Sequence, residues 1–215
     1  DNSFNNSFFY DNINIESYPF VKYFYDSVDK DAPTNFNDAI RNATGEYCIV
    51  IGDDDLINPY ITDIVEKVKQ ANLDSLIYPK GVYYWPNVKF LKEFKFFECS
   101  SLQFVKSSAL EFKEKSSADE LSNILNSGGC NLGNGPCLYH GLVKKQILDD
   151  IYSKFGSYVL GYSPDMSFTI TLLLEKEKFH FTDVCLTIPG ASFNSAAGMG
   201  RRGKHSTTLE NLPDI

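Results

Sequence analysis

The chain has 215 residues, of which 43% are hydrophobic and 14% aromatic. This length and composition predict a globular protein with a substantial core, most simply a single domain over residues 1–215. Twenty basic against 28 acidic residues give a net charge of −8, which disfavours nucleic acid as a partner. The apolar stretches are far shorter than the ~18 residues typical of a membrane span, so we expect no membrane-spanning segment.

The five cysteines are scattered and form no C-x-x-C pair. This pattern excludes a zinc ribbon and favours reduced thiols in a cytoplasmic protein. The chain opens on DNSFNN, with neither an initiator methionine nor a signal peptide. We therefore expect that this start is a truncation.

The first half of the chain alternates between helical and extended patterns. PTNFNDAIRNATG has apolar residues at helical spacing, with Thr34 or Asn35 as the N-cap and Gly45 just beyond the end. YCIVIG, residues 47–52, is apolar on both faces, which is typical of a central strand in a covered parallel sheet. A second helix is predicted after Pro59, followed by the short strand SLIYP.

The second half continues the alternation. Residues 81–108 predict extended segments, and three later segments predict helices: SADELSNILN, VKKQILDDIYSKF and SPDMSFTITLLLEKE. KFHFTDVCLTI predicts a strand, and the Gly- and Ser-rich segment PGASFNSAAGMGRRGKHSTT predicts a mobile loop. The βαβ rhythm predicts an α/β fold with a mostly parallel central sheet flanked by helices.

Three consecutive carboxylates, Asp53, Asp54 and Asp55, directly follow the apolar strand 47–52. Ligands of open α/β sheets bind beyond the carboxyl ends of the strands. In extended backbone Asp53 and Asp55 point to the same side, where they could converge on a hard cation such as Mg²⁺ or Mn²⁺. The alternative is a polar turn that caps the next helix. Spacing alone leaves both interpretations open.

The segment NFNDAIRNATGEYCIVIGDDDLINP resembles the central block of the family 2 glycosyltransferases, enzymes of the GT-A (Rossmann-like) fold. In that block an Asn- and Ala-bearing helix leads into G-E-Y, a hydrophobic strand, and a D-x-D motif followed by Pro. DNSFNN is similar to the family's D-N/G-S-S/T-D segment, although Asn5 and Asn6 stand where an acid commonly follows. GYSPDMSFTITLLL and FTDVCLTIPGASFNS resemble its late helix, strand and loop. The family's first βα unit would precede Asp1.

The resemblance implies an inverting, metal-dependent glycosyltransferase. Its donor would be a nucleotide sugar, in particular a UDP-sugar, and its acceptor a hydroxyl of a glycan or another molecule, in surface glycan synthesis of the bacterial type. The enzyme would work in the cytoplasm, either free or at the inner face of a membrane. Mn²⁺ or Mg²⁺ would be the cofactor, with Asp55 as a direct ligand and Asp53 on the ribose or a metal-bound water. Asp54 would shape the nucleotide site, and Asp1 would contact the base.

A basic cluster near the end of the chain contains Arg201, Arg202, Lys204 and His205 within GMGRRGKHS. It could close over the donor diphosphate as a flap hinged on glycines, and His205 could complete the metal shell. A solvated basic loop explains the same cluster equally well.

An inverting displacement also needs a base beside the acceptor hydroxyl. By resemblance, the acid of SPD, Asp165, corresponds to the family's catalytic base. Helix capping offers another explanation, with Ser163 as N-cap, Pro164 at the first helical position and Asp165 in the first turn. The two roles are compatible.

The glycine-rich segment NSGGCNLGNGPCLYHGLV is interpreted as an acceptor-side loop, with His140 as a structural histidine and Tyr139 and Trp85 as packing residues. Two other functions are kept as alternatives. One is a non-catalytic carbohydrate- or nucleotide-binding module of the same fold. The other is a metal-dependent phosphatase, which is disfavoured because Leu56 and Ile57 stand where a hydroxyl residue would normally follow the nucleophilic Asp.

Overall fold

The computed structural model describes residues 6–28, 30–91, 99–107, 109–161 and 163–203. Three of the predicted site residues, Asp1, Lys204 and His205, lie outside the described residues.

The described residues form helices and short strands in alternation. The helices are α1 (Ser7–Asn12), α2 (Ala32–Asn42), α3 (Ile61–Gln70), α4 (Ser117–Asn126), α5 (Lys145–Phe155), α6 (Pro164–Glu175) and α7 (Ala196–Arg201), and a 3-10 turn covers Ile15–Ser17. The strands are β1 (Tyr47–Cys48), β2 (Leu56–Ile57), β3 (Ser75–Ile77), β4 (Val82–Tyr84), β5 (Ser101–Gln103), β6 (Lys113–Ser116), β7 (Leu142–Lys144), β8 (Lys178–Phe181), β9 (Thr187–Ile188) and β10 (Gly190–Ala191).

Helix α2 begins earlier than the sequence pattern indicates. Asp31 is its N-cap, and the Asp31 side chain accepts a hydrogen bond of 2.8 Å from the N–H of Thr34. Pro33 lies in the first turn, where its missing N–H leaves no helical hydrogen bond unmade. The helix ends at Asn42, and Gly45 is therefore too far along to be its cap.

The main sheet has five strands in the order β1-β7-β3-β8-β6. Strands β3 and β8 pair in parallel, whereas β7 runs antiparallel to both β1 and β3, and β6 runs antiparallel to β8. An isolated parallel bridge also joins Val50 to Tyr139.

Two smaller sheets complete the described strands. One has the order β10-β4-β5, in which β10 is parallel and β5 antiparallel to β4. The other is the antiparallel pair β2 and β9. The α/β class is observed, but the prediction of a mostly parallel sheet is wrong. The apolar pattern of residues 47–52 predicted a central strand, but β1 covers only Tyr47–Cys48 and lies at an edge of the main sheet. Strand direction depends on how the chain returns to the sheet, which the apolar pattern does not reveal.

Helices cover both faces of the main sheet. Alternate residues of β7 mark the two faces, because Val143 packs with Leu148 of α5 and Phe168 of α6, whereas Leu142 packs with Val68 of α3. The carboxyl ends of β1 and β3 thus emerge from a well-packed core, and the chain segments that follow them are held in fixed positions.

Residues 189–203 are ordered rather than a mobile loop, so that prediction is wrong for the part that the structure describes. Gly190 and Ala191 form β10 against β4. Ser195 caps α7 by accepting a hydrogen bond from the N–H of Gly198. The segment is glycine-rich because its backbone packs closely: a Cβ on Gly198 would lie 1.6 Å from the carbonyl oxygen of Ser192.

Candidate active site

The three acids form a turn between β1 and β2, here called the acidic turn (residues 53–55). Asp53 is exposed, and Asp54 is half-buried. The Asp54 carboxylate accepts a hydrogen bond of 2.9 Å from the N–H of Ser192, and its carbonyl oxygen accepts one of 2.8 Å from the indole of Trp85. Tertiary contacts on both sides therefore fix the middle of the turn.

The side chain of Asp55 is buried, with only 1% of its surface exposed. Its Oδ1 accepts a hydrogen bond of 2.6 Å from the N–H of Gly190. Its Oδ2 accepts bonds from the N–H of Gly52 at 2.5 Å and from the hydroxyl of Tyr139 at 3.0 Å. His140 Nε2 lies 3.1 Å from the same oxygen, although off the line of a well-formed hydrogen bond. Protein donors thus occupy the oxygens that the resemblance assigns to a metal.

These contacts determine the charge of Asp55. Burial raises the pKa of the carboxyl, but the close contact of His140 and the hydrogen bonds from Gly190 and Gly52 outweigh that effect and hold the pKa at about 2. Asp55 is therefore ionised throughout the physiological range.

Tyr139 connects the acidic turn to Asp165. Burial raises the pKa of the Tyr139 phenol, and the negative charges of Asp55, Asp54 and Asp165 raise it further. The phenol therefore stays protonated and donates to Asp55. Asp55 and Asp165 therefore both lie within electrostatic range of Tyr139, although more than a hundred positions separate them in the sequence.

Asp165 lies in the first turn of α6, after Pro164. Ser163 stands at the N-cap position, but its side chain makes no capping hydrogen bond, which weakens the capping explanation for this segment. Asp165 is exposed at the surface, yet the protein around the carboxyl raises its pKa by desolvation, an effect opposed by Lys80 and His140. Solvent access limits the size of this shift.

A cavity of about 390 Å³ lies beside Lys80. It is bounded by residues 77–80 at the end of β3, by residues 132–135, and by Cys137 and Phe181. Glu120 of α4 fixes the glycine-rich wall by accepting a hydrogen bond of 2.6 Å from the N–H of Asn134. Lys80 stands at the rim and acts electrostatically on both Cys137 and Asp165.

A larger groove of about 570 Å³ lies between residues 22–26 and α2. It shares no lining residue with the acidic turn or with the cavity beside Lys80. We therefore do not include this groove in the candidate active site, although it is larger than the cavity beside Lys80.

The two arginines predicted to contact a diphosphate are packed onto the protein. The guanidinium of Arg202 lies 3.8 Å from the ring centroid of Phe193 and donates a hydrogen bond of 2.6 Å to the Phe193 carbonyl oxygen. That of Arg201 lies 5.6 Å from the ring centroid of Tyr84. Arg202 thus serves at least to fold residues 193–202 onto themselves.

The donor set of the acidic turn fits a hard divalent cation that also binds phosphate. Among the residues that the structure describes, no three His, Cys, Asp or Glu side chains come together as a metal site. Asp53 and Asp54 are nevertheless adjacent carboxylates that are at least partly exposed to solvent. Mg²⁺ is commonly held by one or two carboxylates together with substrate phosphates, so two protein ligands suffice for such an ion.

The sequence patterns identified the acidic turn and Asp165 but missed the residues that surround Asp55. Gly190 was predicted to lie in a mobile loop and Tyr139 to be a packing residue. His140 is buried, as a structural histidine would be, but it lies at the centre of the site. The available signal was only the local composition of two glycine-rich segments, which does not show that both meet the acidic turn.

Comparison with known proteins agrees with this geometry. The family model described as glycosyl transferase family 2 matches residues 10–134. This span includes the acidic turn and covers more than half of the chain. The chain therefore belongs to glycosyl transferase family 2. Proteins of this family have the GT-A α/β fold and bind a nucleotide-sugar donor and an acceptor. No curated protein matches the chain. Tyr139, His140 and Asp165 lie beyond the matched span.

No helix within the described ranges is long and apolar enough to cross a membrane.

Proposed function

We propose that this protein is an inverting, metal-dependent glycosyltransferase that moves a sugar from a UDP-sugar to a hydroxyl of a glycan acceptor. The proposal rests chiefly on one observation. Tyr139 donates a hydrogen bond to Asp55 of the acidic turn, and the negative charge of Asp165 acts on the same phenol, which supports a donor site and a base within electrostatic range of one tyrosine.

Asp53 and Asp54 would hold Mn²⁺ or Mg²⁺ together with the donor diphosphate. This assignment differs from the one implied by resemblance, because donors from Gly190, Gly52 and Tyr139 already occupy the oxygens of Asp55. A bound cation would neutralise the negative charge that develops on the leaving diphosphate. Asp53, which is exposed, would also be free to contact the ribose.

Asp165 would accept the proton of the attacking hydroxyl. Its pKa lies above that of an ordinary aspartate, and this higher basicity suits an acceptor of protons. Lys80 opposes the shift and helps to keep the carboxylate ionised before the acceptor binds. The cavity beside Lys80 is the space available for the acceptor on this side of the site.

The proposed function is tested by calorimetric titration of UDP into the protein with MnCl₂ and, separately, with a chelator. We expect binding that requires Mn²⁺ and that is lost in Asp54→Ala. Asp63→Ala, which removes an exposed acid from the first turn of α3, is the matched control and should bind as the wild type does. Metal-independent binding would contradict the proposal and favour a non-catalytic binding module.

A further inference from the structure

The three acids of the acidic turn have different environments. Asp53 is exposed, whereas the Asp55 side chain is buried and contacts donors from three separate parts of the chain. A carboxylate whose oxygens accept three hydrogen bonds loses those bonds if a cation takes their place. Leaving buried N–H donors without acceptors is unfavourable.

A buried row of hydrogen-bonding groups stands behind Asp55. His140 Nδ1 lies 2.8 Å from the hydroxyl of Thr187, which lies 2.8 Å from the hydroxyl of Tyr78. His140, Thr187 and Tyr78 are at most 4% exposed. These groups therefore exchange hydrogen bonds with one another rather than with solvent.

One assignment of donors and acceptors is consistent with all the hydrogen bonds along this row. Burial raises the pKa of Tyr78, so its hydroxyl stays protonated and can donate to that of Thr187, which can then donate to Nδ1 of His140. His140 is left with its proton on Nε2, which faces the ionised Asp55. This tautomer is inferred from the network, and it lets the Thr187 hydroxyl both accept a hydrogen bond from Tyr78 and donate one to His140.

Gly190 brings a second chain segment onto the turn. Its N–H donates to Asp55, and a Cβ at this position would lie 1.8 Å from the carbonyl oxygen of Asp54. Only glycine allows the two backbones to approach so closely. Asp55 is thus the point at which residues 52–55, 139–140 and 190 meet.

We propose that Asp55, Tyr139 and His140 are positioning residues: they hold the acidic turn against Gly190 so that Asp53 and Asp54 face the donor, and Asp55 does not bind the metal. The orientation toward a donor rests on the proposed function, whereas the fixing of the turn does not. The two parts can therefore be tested separately.

Trp85 provides a readout that needs no ligand. It is the only tryptophan in the chain, and its indole donates to the carbonyl oxygen of Asp54. If Tyr139 and Asp55 fix the turn, then Tyr139→Phe and Asp55→Asn should shift Trp85 emission to longer wavelength and increase its quenching by acrylamide. Tyr47→Phe is the matched control, because the Tyr47 hydroxyl bonds to the carbonyl oxygen of Leu73, away from the turn.

The same variants are then titrated with UDP and MnCl₂. We expect Tyr139→Phe, which removes one oxygen atom, to weaken Mn²⁺-dependent binding on the order of tenfold, since its bond is to a charged group. Tyr139→Phe should cause little further loss in the Asp55→Asn background, because the bond is already disturbed there. Independent, additive losses would overturn the proposal.

A pair of His140 variants sharpens the test. His140→Gln can place an amide N–H near the position of Nε2, whereas His140→Asn reaches only the position of Nδ1. The backbone of His140 is left-handed, with φ of 58°, which favours Asn over Gln. Better retention of the Trp85 spectrum in His140→Gln, against that backbone preference, would support the contact with Asp55. Better retention in His140→Asn would contradict it.

The outcomes separate the positioning role from the proposed function. An unchanged Trp85 spectrum in Asp55→Asn, combined with lost Mn²⁺ binding, would make Asp55 a ligand and overturn the positioning role. Shifted spectra in Asp55→Asn and Tyr139→Phe would support the fixing of the turn even if wild-type protein binds no UDP, a result that would overturn the proposed function instead. If Asp55→Asn fails to fold, the smaller change Tyr139→Phe still tests the positioning role separately from the proposed function.

Discussion

At the residue scale, environment distinguishes side chains of the same type. Asp53, Asp54 and Asp55 are chemically identical, but one is exposed, one is half-buried and one is enclosed by donors. Repulsion among three adjacent carboxylates is tolerated because hydrogen bonds stabilise the negative charge of Asp55 and because Asp53 is exposed to water. The turn therefore exposes Asp53, partly exposes Asp54 and encloses Asp55.

Asp165→Asn tests the proposed base. An amide cannot accept the acceptor's proton, so we expect the rate of sugar transfer to fall by about 10²- to 10⁴-fold while Mn²⁺-dependent binding of UDP is retained. In wild-type protein kcat should fall as the pH is lowered toward the raised pKa of Asp165, because only the ionised carboxylate is a base. Steady-state kinetics between pH 5 and 8 measure both effects.

Asp119→Asn is the control for Asp165→Asn. Asp119 occupies the first turn of α4, a position similar to that of Asp165 in α6. Loss of a favourable helix-dipole contact alone would affect both variants in similar ways. Retained transfer in Asp165→Asn would exclude Asp165 as the base.

At the element scale, Asn37 docks α2 onto the segment after α5. Its Oδ1 accepts hydrogen bonds from the N–H groups of Tyr158 at 2.7 Å and Val159 at 3.2 Å, and from the hydroxyl of Ser157 at 2.9 Å. Its amide donates to the carbonyl oxygen of Pro33 at 2.9 Å. This one side chain thus fixes the helix that leads into β1 and the acidic turn.

We predict that Asn37→Ala lowers the free energy of unfolding by about 2 kcal/mol, because two part-buried N–H groups lose their acceptor. Asn35→Ala, at an exposed position of the same helix, should change the free energy of unfolding little. Urea unfolding of both variants and of the wild type measures the difference. Equal stability of the two variants would show that solvent replaces the bonds of Asn37.

At the scale of the whole molecule, the fold brings distant segments to one edge of the main sheet. The acidic turn follows β1, Lys80 follows β3, and Asp165 begins α6. Helices on both faces fix the strands, and the site is built from the segments that leave them. This arrangement makes the stability of the folded state depend on charges at the site.

Asp55 should contribute to stability in a pH-dependent way. Its pKa is lowered from 3.8 to about 2 by folding, so its contribution is complete above the unfolded pKa and is lost as the pH falls through the folded pKa. Between pH 5 and pH 3 wild-type protein should lose about 1 kcal/mol more free energy of unfolding than Asp55→Asn does. Urea unfolding at both pH values measures this difference. Equal losses would mean that the contacts of Asp55 do not lower its pKa in the folded protein.

The sequence predicted most helices well, because their apolar spacing is local. In α3, Ile64 and Val68 are buried as the spacing requires, and α4 and α6 occur where their patterns indicate. Strand direction was not predictable in this way. The parallel register of β3 with β8 and the antiparallel insertion of β7 between β1 and β3 depend on connections that no local pattern encodes.

By itself, the sequence determined the α/β class and the family, and it singled out the acidic turn and Asp165 as candidate site residues. Residue type and spacing along one chain segment are enough for these conclusions. Only the tertiary structure decided that Asp55 is enclosed by Gly190, Tyr139 and His140, since these lie far from it along the chain. Burial and hydrogen bonding fix the charge and accessibility of a carboxylate, and both arise from packing between segments that the sequence does not show to be neighbours.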